Sequence, residues 1–158
     1  MKETKPIKRS KQLTPFSHEH HDALLFIWNI KQGLKNKTAI ETISGYVRWF
    51  WKNHLKEHFD QEEKLLLPYL QGNEMGRRLK REHAAIRNLA ASARAEESFA
   101  SLAEMLNAHI RFEERQLFPH IEKIASIDQL NRIFEQLQQS PQCTATWDKK
   151  FWKTKDDR

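Results

Sequence analysis

The stretch His58-Phe-Asp-Gln-Glu-Glu-Lys-Leu-Leu-Leu-Pro68 recurs as His109-Ile-Arg-Phe-Glu-Glu-Arg-Gln-Leu-Phe-Pro119, with His, Glu, Glu, Leu and Pro in register and no gap. A spacing of four puts residues on one helix face, so His58 with Glu62 and His109 with Glu113 each present an imidazole and a carboxylate in one direction. A shorter echo places Phe16-Ser-His-Glu-His20 over Leu79-Lys-Arg-Glu-His83, an apolar residue followed by Glu-His at equal offsets. The four segments follow one another as A, B, A, B.

Outward from these blocks the chain reads as all-α. Four glycines and five prolines punctuate a sequence rich in Leu, Ala, Glu, Lys, Gln and Arg, and alternating Val/Ile/Thr stretches are absent. A first helix is expected over residues 17–34, with Leu24, Ile27, Ile30 and Leu34 at helical spacing. Thr38-Ala-Ile-Glu41 has the form of a capping box opening a long second helix, which Pro68 and Gly72 bring to an end. A third helix is expected over 74–92 and a fourth over 98–123, its last turn bent by Pro119. Ser126-Ile-Asp-Gln129 opens a short fifth helix carrying Leu130, Ile133, Phe134 and Leu137. Short connections favour antiparallel neighbours, so the expected fold is an up-down-up-down four-helix bundle with the short C-terminal helix packed outside.

Length and charge set the outer bounds. A chain of 158 residues suits one domain. The net charge of +6 lies in the ends: residues 1–12 carry five Lys/Arg against one acid, residues 141–158 five against three, and residues 13–140 balance 17 against 17. The expected organisation is a basic extension over 1–12, a bundle over 13–140 and a tail over 141–158. With no basic face on the bundle, no nucleic acid is expected as a partner. No apolar run of membrane-spanning or signal-peptide length occurs, so no membrane is expected either. The single cysteine, Cys143, cannot form an intrachain disulfide, which fits a reducing cytoplasm.

The repeated histidines carry the chemistry. A single histidine on a partly apolar helix face is more often a hydrogen-bonded residue than a ligand. Two His/Glu pairs brought to one core are different, because burying them without a compensating charge is costly and a pair of metal ions supplies that charge. Imidazole nitrogen suits iron, zinc, copper or nickel, and a carboxylate can bridge two cations. His20 and His83, from the other two helices, then add terminal donors.

These residues resemble the hemerythrin-like HHE cation-binding domains, marked by one histidine on each of helices 1 and 3 and H-x-x-x-E on helices 2 and 4. The resemblance covers about residues 13–124. It implies the same four-helix bundle, imidazole ligands at His20, His58, His83 and His109, and Glu62 and Glu113 as bridging carboxylates of an oxo- or hydroxo-bridged di-iron site. Iron is the expected cofactor, with zinc and manganese as alternatives. Oxygen-carrying hemerythrins have a second histidine one turn away on helix 3, where this chain has Leu79 and Arg87. The site is left to six protein donors, to recruitment of Glu82 or His21, or to an extra open position. His21 competes with His20 for the helix 1 role, because it lies above Leu24, Leu25 and Trp28.

His54-Leu-Lys-Glu-His58 spells the inverted zinc-protease helix but leaves the second block unexplained, and E-x-x-H, needed for ferritin-like sites, does not occur. Glu63 and Glu114 point about 100° from their neighbouring glutamates on an ideal helix, which suggests surface roles. Trp147-Asp-Lys-Lys-Phe-Trp152 docks on a partner or on the bundle itself, and the sequence does not choose. The implied function is a di-iron protein that binds or senses oxygen, nitric oxide or another small redox species, or handles iron. The alternatives are a metal-stabilised interaction module and an enzyme repairing iron centres. No acid, base or nucleophile for an organic substrate stands out, so a conventional enzyme is not expected.

Overall fold

The computed structural model describes residues 9–140 and 143–153, and the regular elements among them are all helices, with no strand. Residues 1–8 of the basic extension, and 141–142 and 154–158 of the tail, lie outside the described residues. Helix α1 spans Thr14–Lys35, starting earlier than expected because Pro15 occupies its first turn, where a missing N–H costs nothing. The long second rod is α2, Ile40–Phe50, joined through a π turn, Trp51–Leu55, to α3, Lys56–Leu66. Pro68 falls in a closing 3-10 turn, Leu67–Tyr69. Helix α4, Glu74–Ser92, is capped by Asn73, whose Oδ1 accepts from the Met75 amide at 2.8 Å. The fourth rod is α5, Glu96–Phe112, then a second π turn, Glu113–Leu117, then α6, Phe118–Ile124. Helix α7 spans Ile127–Gln139.

The two capping boxes read from sequence fare differently. At Ser126 the box forms in both directions, with Gln129 N donating to Ser126 Oγ at 3.1 Å and Ser126 N to Gln129 Oε1 at 2.8 Å. At Thr38 it does not. Lys37 takes a left-handed turn at φ 57, the Thr38 amide bonds the Gly33 carbonyl, and Ala39 stands at the N-cap without a side-chain bond.

Helix α1 packs against α5 and α2, and α4 packs against α5, α2 and α3. The apolar interior forms two clusters. One holds Phe26, Ile30, Ile43, Phe50, Phe59, Ile86, Phe99 and Leu102, and the other holds Leu13, Phe16, Leu66, Leu79, Leu117, Phe118 and the inner face of α7. Along α1 the order is Phe16, His20, Ala23, and along α4 it is Leu79, His83, Ile86, so the histidines form a polar layer where one cluster gives way to the other. The tail aromatics dock on the bundle: Trp147, Phe151 and Trp152 surround Tyr46 at 5.2–5.5 Å between ring centres. Gly33 leaves room for them, since a Cβ there would stand 2.5 Å from the Phe151 ring. No described helix is long and apolar enough to cross a membrane.

Candidate metal centre

Helical spacing brings the two His/Glu pairs inward, and packing makes them meet. Donor atoms of His20, His58, Glu62 and Glu113 all lie within 4.8 Å of one another, as do those of Glu62, His83, His109 and Glu113. Both groups contain the same two carboxylates. Glu62 Oε1 stands 3.2 Å from the Nε2 atoms of both His58 and His83. Glu113 Oε1 stands 3.2 Å from His20 Nε2 and 2.9 Å from His109 Nε2. All six side chains are buried, and both carboxylates are fully so.

The opposite ring nitrogens face outward to four further glutamates. His20 Nδ1 meets Glu114 at 2.8 Å, His58 Nδ1 meets Glu19 at 2.7 Å, and His109 Nδ1 meets Glu82 at 2.8 Å. His83 Nδ1 has Glu63 at 3.4 Å, the longest of the four. A carboxylate on the outer nitrogen puts the proton there and leaves the inner nitrogen free to donate its lone pair. The expected surface roles for Glu63 and Glu114 are therefore corrected: each points away from the histidine on its own helix and toward one on a neighbouring helix. All four lie inside the repeated blocks, as the residue before each A-block histidine and the second glutamate of each B block, and that recurrence is the signal that could have marked them.

His21 is exposed and outside both groups. Leu24, Leu25 and Trp28, beside which it lies, are themselves 43–53% exposed, so that flank of α1 faces solvent and His20 is the helix 1 member of the cluster. Glu82 also stays outside both donor groups, engaged with His109. Leu79 is fully buried in the apolar cluster and Arg87 is exposed, so neither stands in for a second helix 3 histidine. His54 stacks on Phe50 at 4.9 Å, and Glu57 is exposed, so the inverted zinc-protease pattern forms no site.

Burial and like charge govern protonation. Burial, reinforced by the Glu113 charge, raises Glu62 to about 8. Burial works against a charged His109, but Glu113, Glu82 and Glu62 outweigh it and raise that imidazole to about 10. Burial likewise opposes charge on His20 and His83, and their carboxylate neighbours raise both. Burial would push Glu113 up, yet His109 and the bonds around it hold it well below the ordinary carboxylate range.

The donor set fits a pair of cations. Both oxygens of Glu62, Glu113 Oε2 and His58 Nε2 are buried without a hydrogen-bond partner, a costly arrangement that a coordinated ion relieves. Two imidazoles for each ion and two shared carboxylates suit iron, zinc or manganese.

Curated proteins and solved structures gave no match to the chain. The family model described as the hemerythrin HHE cation binding domain matches residues 13–121, well over half the sequence and all six buried donors. The chain belongs to the hemerythrin HHE cation-binding family.

Proposed function

We propose that this protein holds two iron ions and uses them to bind or sense a small redox-active molecule such as oxygen or nitric oxide. His20 and His58 would hold one ion, His83 and His109 the other, with Glu62 and Glu113 shared. The observation that carries this reading is the shared pair: two fully buried carboxylates with unpartnered oxygens, each facing one imidazole from both histidine pairs. Bound ferrous iron would supply exchangeable electrons to a small molecule that reaches the centre.

The chain itself orients and shields. Outer glutamates set the imidazole tautomers, Phe118 stacks on His20 at 5.5 Å and Phe59 on His83 at 3.9 Å, and these rings exclude water from the layer. A surface cavity of about 660 Å³, lined in part by His58, Glu19, His18 and His54, offers a small molecule an approach on the His58 side. An antiparallel up-down course of the four rods accounts for the helix pairs in contact and for the short connections. A cytoplasmic setting fits the single exposed Cys143.

Elemental analysis and optical spectra of anaerobically purified protein, before and after air or nitric oxide, test the reading. Two irons per chain with a spectral change on exposure are expected. One zinc and no second metal would overturn it.

A further inference from the structure

Each half of the centre is backed by an arginine that touches no donor. Arg9 Nη2 donates to Glu114 Oε2 at 3.0 Å, and Glu114 holds His20 Nδ1. The same guanidinium lies 5.2 Å from the centre of the Phe118 ring that stacks on His20. Arg78 repeats the device. Its Nε donates to Glu82 at 2.8 Å, Glu82 holds His109 Nδ1, and its guanidinium sits 4.1 Å over Phe112, whose ring centre is 6.3 Å from that of His109. Among the described residues neither of the other two outer glutamates is ion-paired to an arginine: Glu19, the partner of His58, is 46% exposed, and Glu63, 3.4 Å from His83, feels Arg87 and Lys80 only at longer range.

The backbone explains why Arg9 is there. In the π turn the Phe118 amide bonds the Glu113 carbonyl, and Pro119 has no N–H to offer, so the Glu114 carbonyl is left without a helical donor. Arg9 Nη2 fills it at 2.6 Å, and Nη1 is anchored to Glu122 at 2.6 Å. Its side chain is only 9% exposed, so these bonds escape the solvent screening that weakens surface pairs.

We propose that Arg9 and Arg78 are positioning residues of the two half-sites, fixing His20 and His109 through a carboxylate and an aromatic ring. This rests on the two-ion reading above. Loss of a group bonded directly to a ligating histidine typically weakens metal binding about 10- to 100-fold, and an arginine acting through that group is expected to fall at the lower end.

The test is release of iron from loaded full-length protein into excess chelator, followed optically, for wild type, Arg9→Gln, Arg9→Lys, Arg78→Gln and the Arg9→Gln/Arg78→Gln double variant. In each single Gln variant one ion is expected to leave at least about tenfold faster while the second keeps the wild-type rate, and in the double variant both leave fast. Arg9→Lys, with charge but no fork, is expected to recover only part of the effect. A merely structural loss would speed both ions together in a single variant, and that outcome, or release unchanged in both single variants, overturns the proposal. Arg78→Gln, at a half-exposed helix position, carries the test should Arg9→Gln fail to fold. Wild-type protein holding fewer than two ions would instead defeat the two-ion reading, which separates the two failures.

Discussion

The two copies of the repeated block share their chemistry and differ in their backbone. Glu62 and Glu113 are both fully buried and both four residues beyond their histidines. Yet the first copy stays α-helical through Leu66, where the Leu67 amide bonds the Glu63 carbonyl, while the second switches to a π turn at Glu113 and relies on Arg9 for the Glu114 carbonyl. Glu114 then reaches its histidine at 2.8 Å and Glu63 only at 3.4 Å. The motif decides which groups face the site. Residues outside the motif decide how firmly the groups behind it are held. The protonation pattern is unequal too: Glu62 is raised to about 8, whereas Glu113 is held low beside a His109 raised to about 10.

The largest effect should be blind to this difference. Glu62→Ala and Glu113→Ala each remove a shared carboxylate, so both are expected to lose the paired site, with metal content falling below one ion per chain. Elemental analysis giving two ions in either variant would break the equivalence of the copies.

Stripping the metal should come next. An ion that binds only the native state adds on the order of 4 kcal/mol at a thousandfold excess over Kd, so chelation is expected to lower the melting temperature clearly. The unequal copies also fix a sign with pH. His109 at about 10, against an ordinary 6.5, contributes stability present below 6.5 and lost as pH rises toward 10. Glu62 at about 8, against 4.5, keeps in the fold a proton that the unfolded chain has already lost, so stability falls as pH rises across 4.5–8. Metal competes with both protons. The gap between loaded and stripped melting temperatures should therefore widen between about pH 5 and 9, and a constant gap would count against the assigned proton holders.

Where the copies differ, smaller and unequal effects follow. Glu114→Ala removes a close imidazole partner and its ion pair with Arg9, so one ion should bind about 10- to 100-fold more weakly. Glu63→Ala should cost less, and the reverse order in metal titrations would invert the comparison. Pro119→Ala returns an amide that competes with Arg9 for the π turn. Its stability change should stay within about 1 kcal/mol, but one ion should exchange faster, whereas Pro68→Ala should leave exchange unchanged in the same chelator assay.

The donors were legible because each His/Glu pair sits on one helix, where spacing alone sets direction. His20 against His21 was not, because adjacent residues flanked by apolar side chains look alike until packing shows that Leu24, Leu25 and Trp28 face solvent. The four outer glutamates act between helices, and a one-helix wheel puts Glu63 and Glu114 on the wrong face for their own histidines and is silent about neighbouring ones. Arg9 lies in a basic stretch without periodicity, where charge balance alone reads as a tail. Its place became readable only once the Glu114 carbonyl was seen to need a donor. The Thr38 box failed because the left-handed turn at Lys37 moved the helix start past it, and the Ser126 box formed where no such turn intervenes.

The distribution of indoles gives the molecule its own optical probes. Trp51 packs on Phe59 at 5.6 Å, and Phe59 stacks on His83, so this indole lies two ring contacts from the candidate centre. Trp147 and Trp152 sit instead around Tyr46 on the docked tail, and Trp28 is half exposed on α1. Emission from Trp51 should be quenched as the His83 side fills, while Trp147 and Trp152 report whether the tail is seated. Filling of the centre and seating of the tail thus act on different indoles of the unlabelled protein, with Trp49, packed on Tyr46 and Trp147, on the tail side.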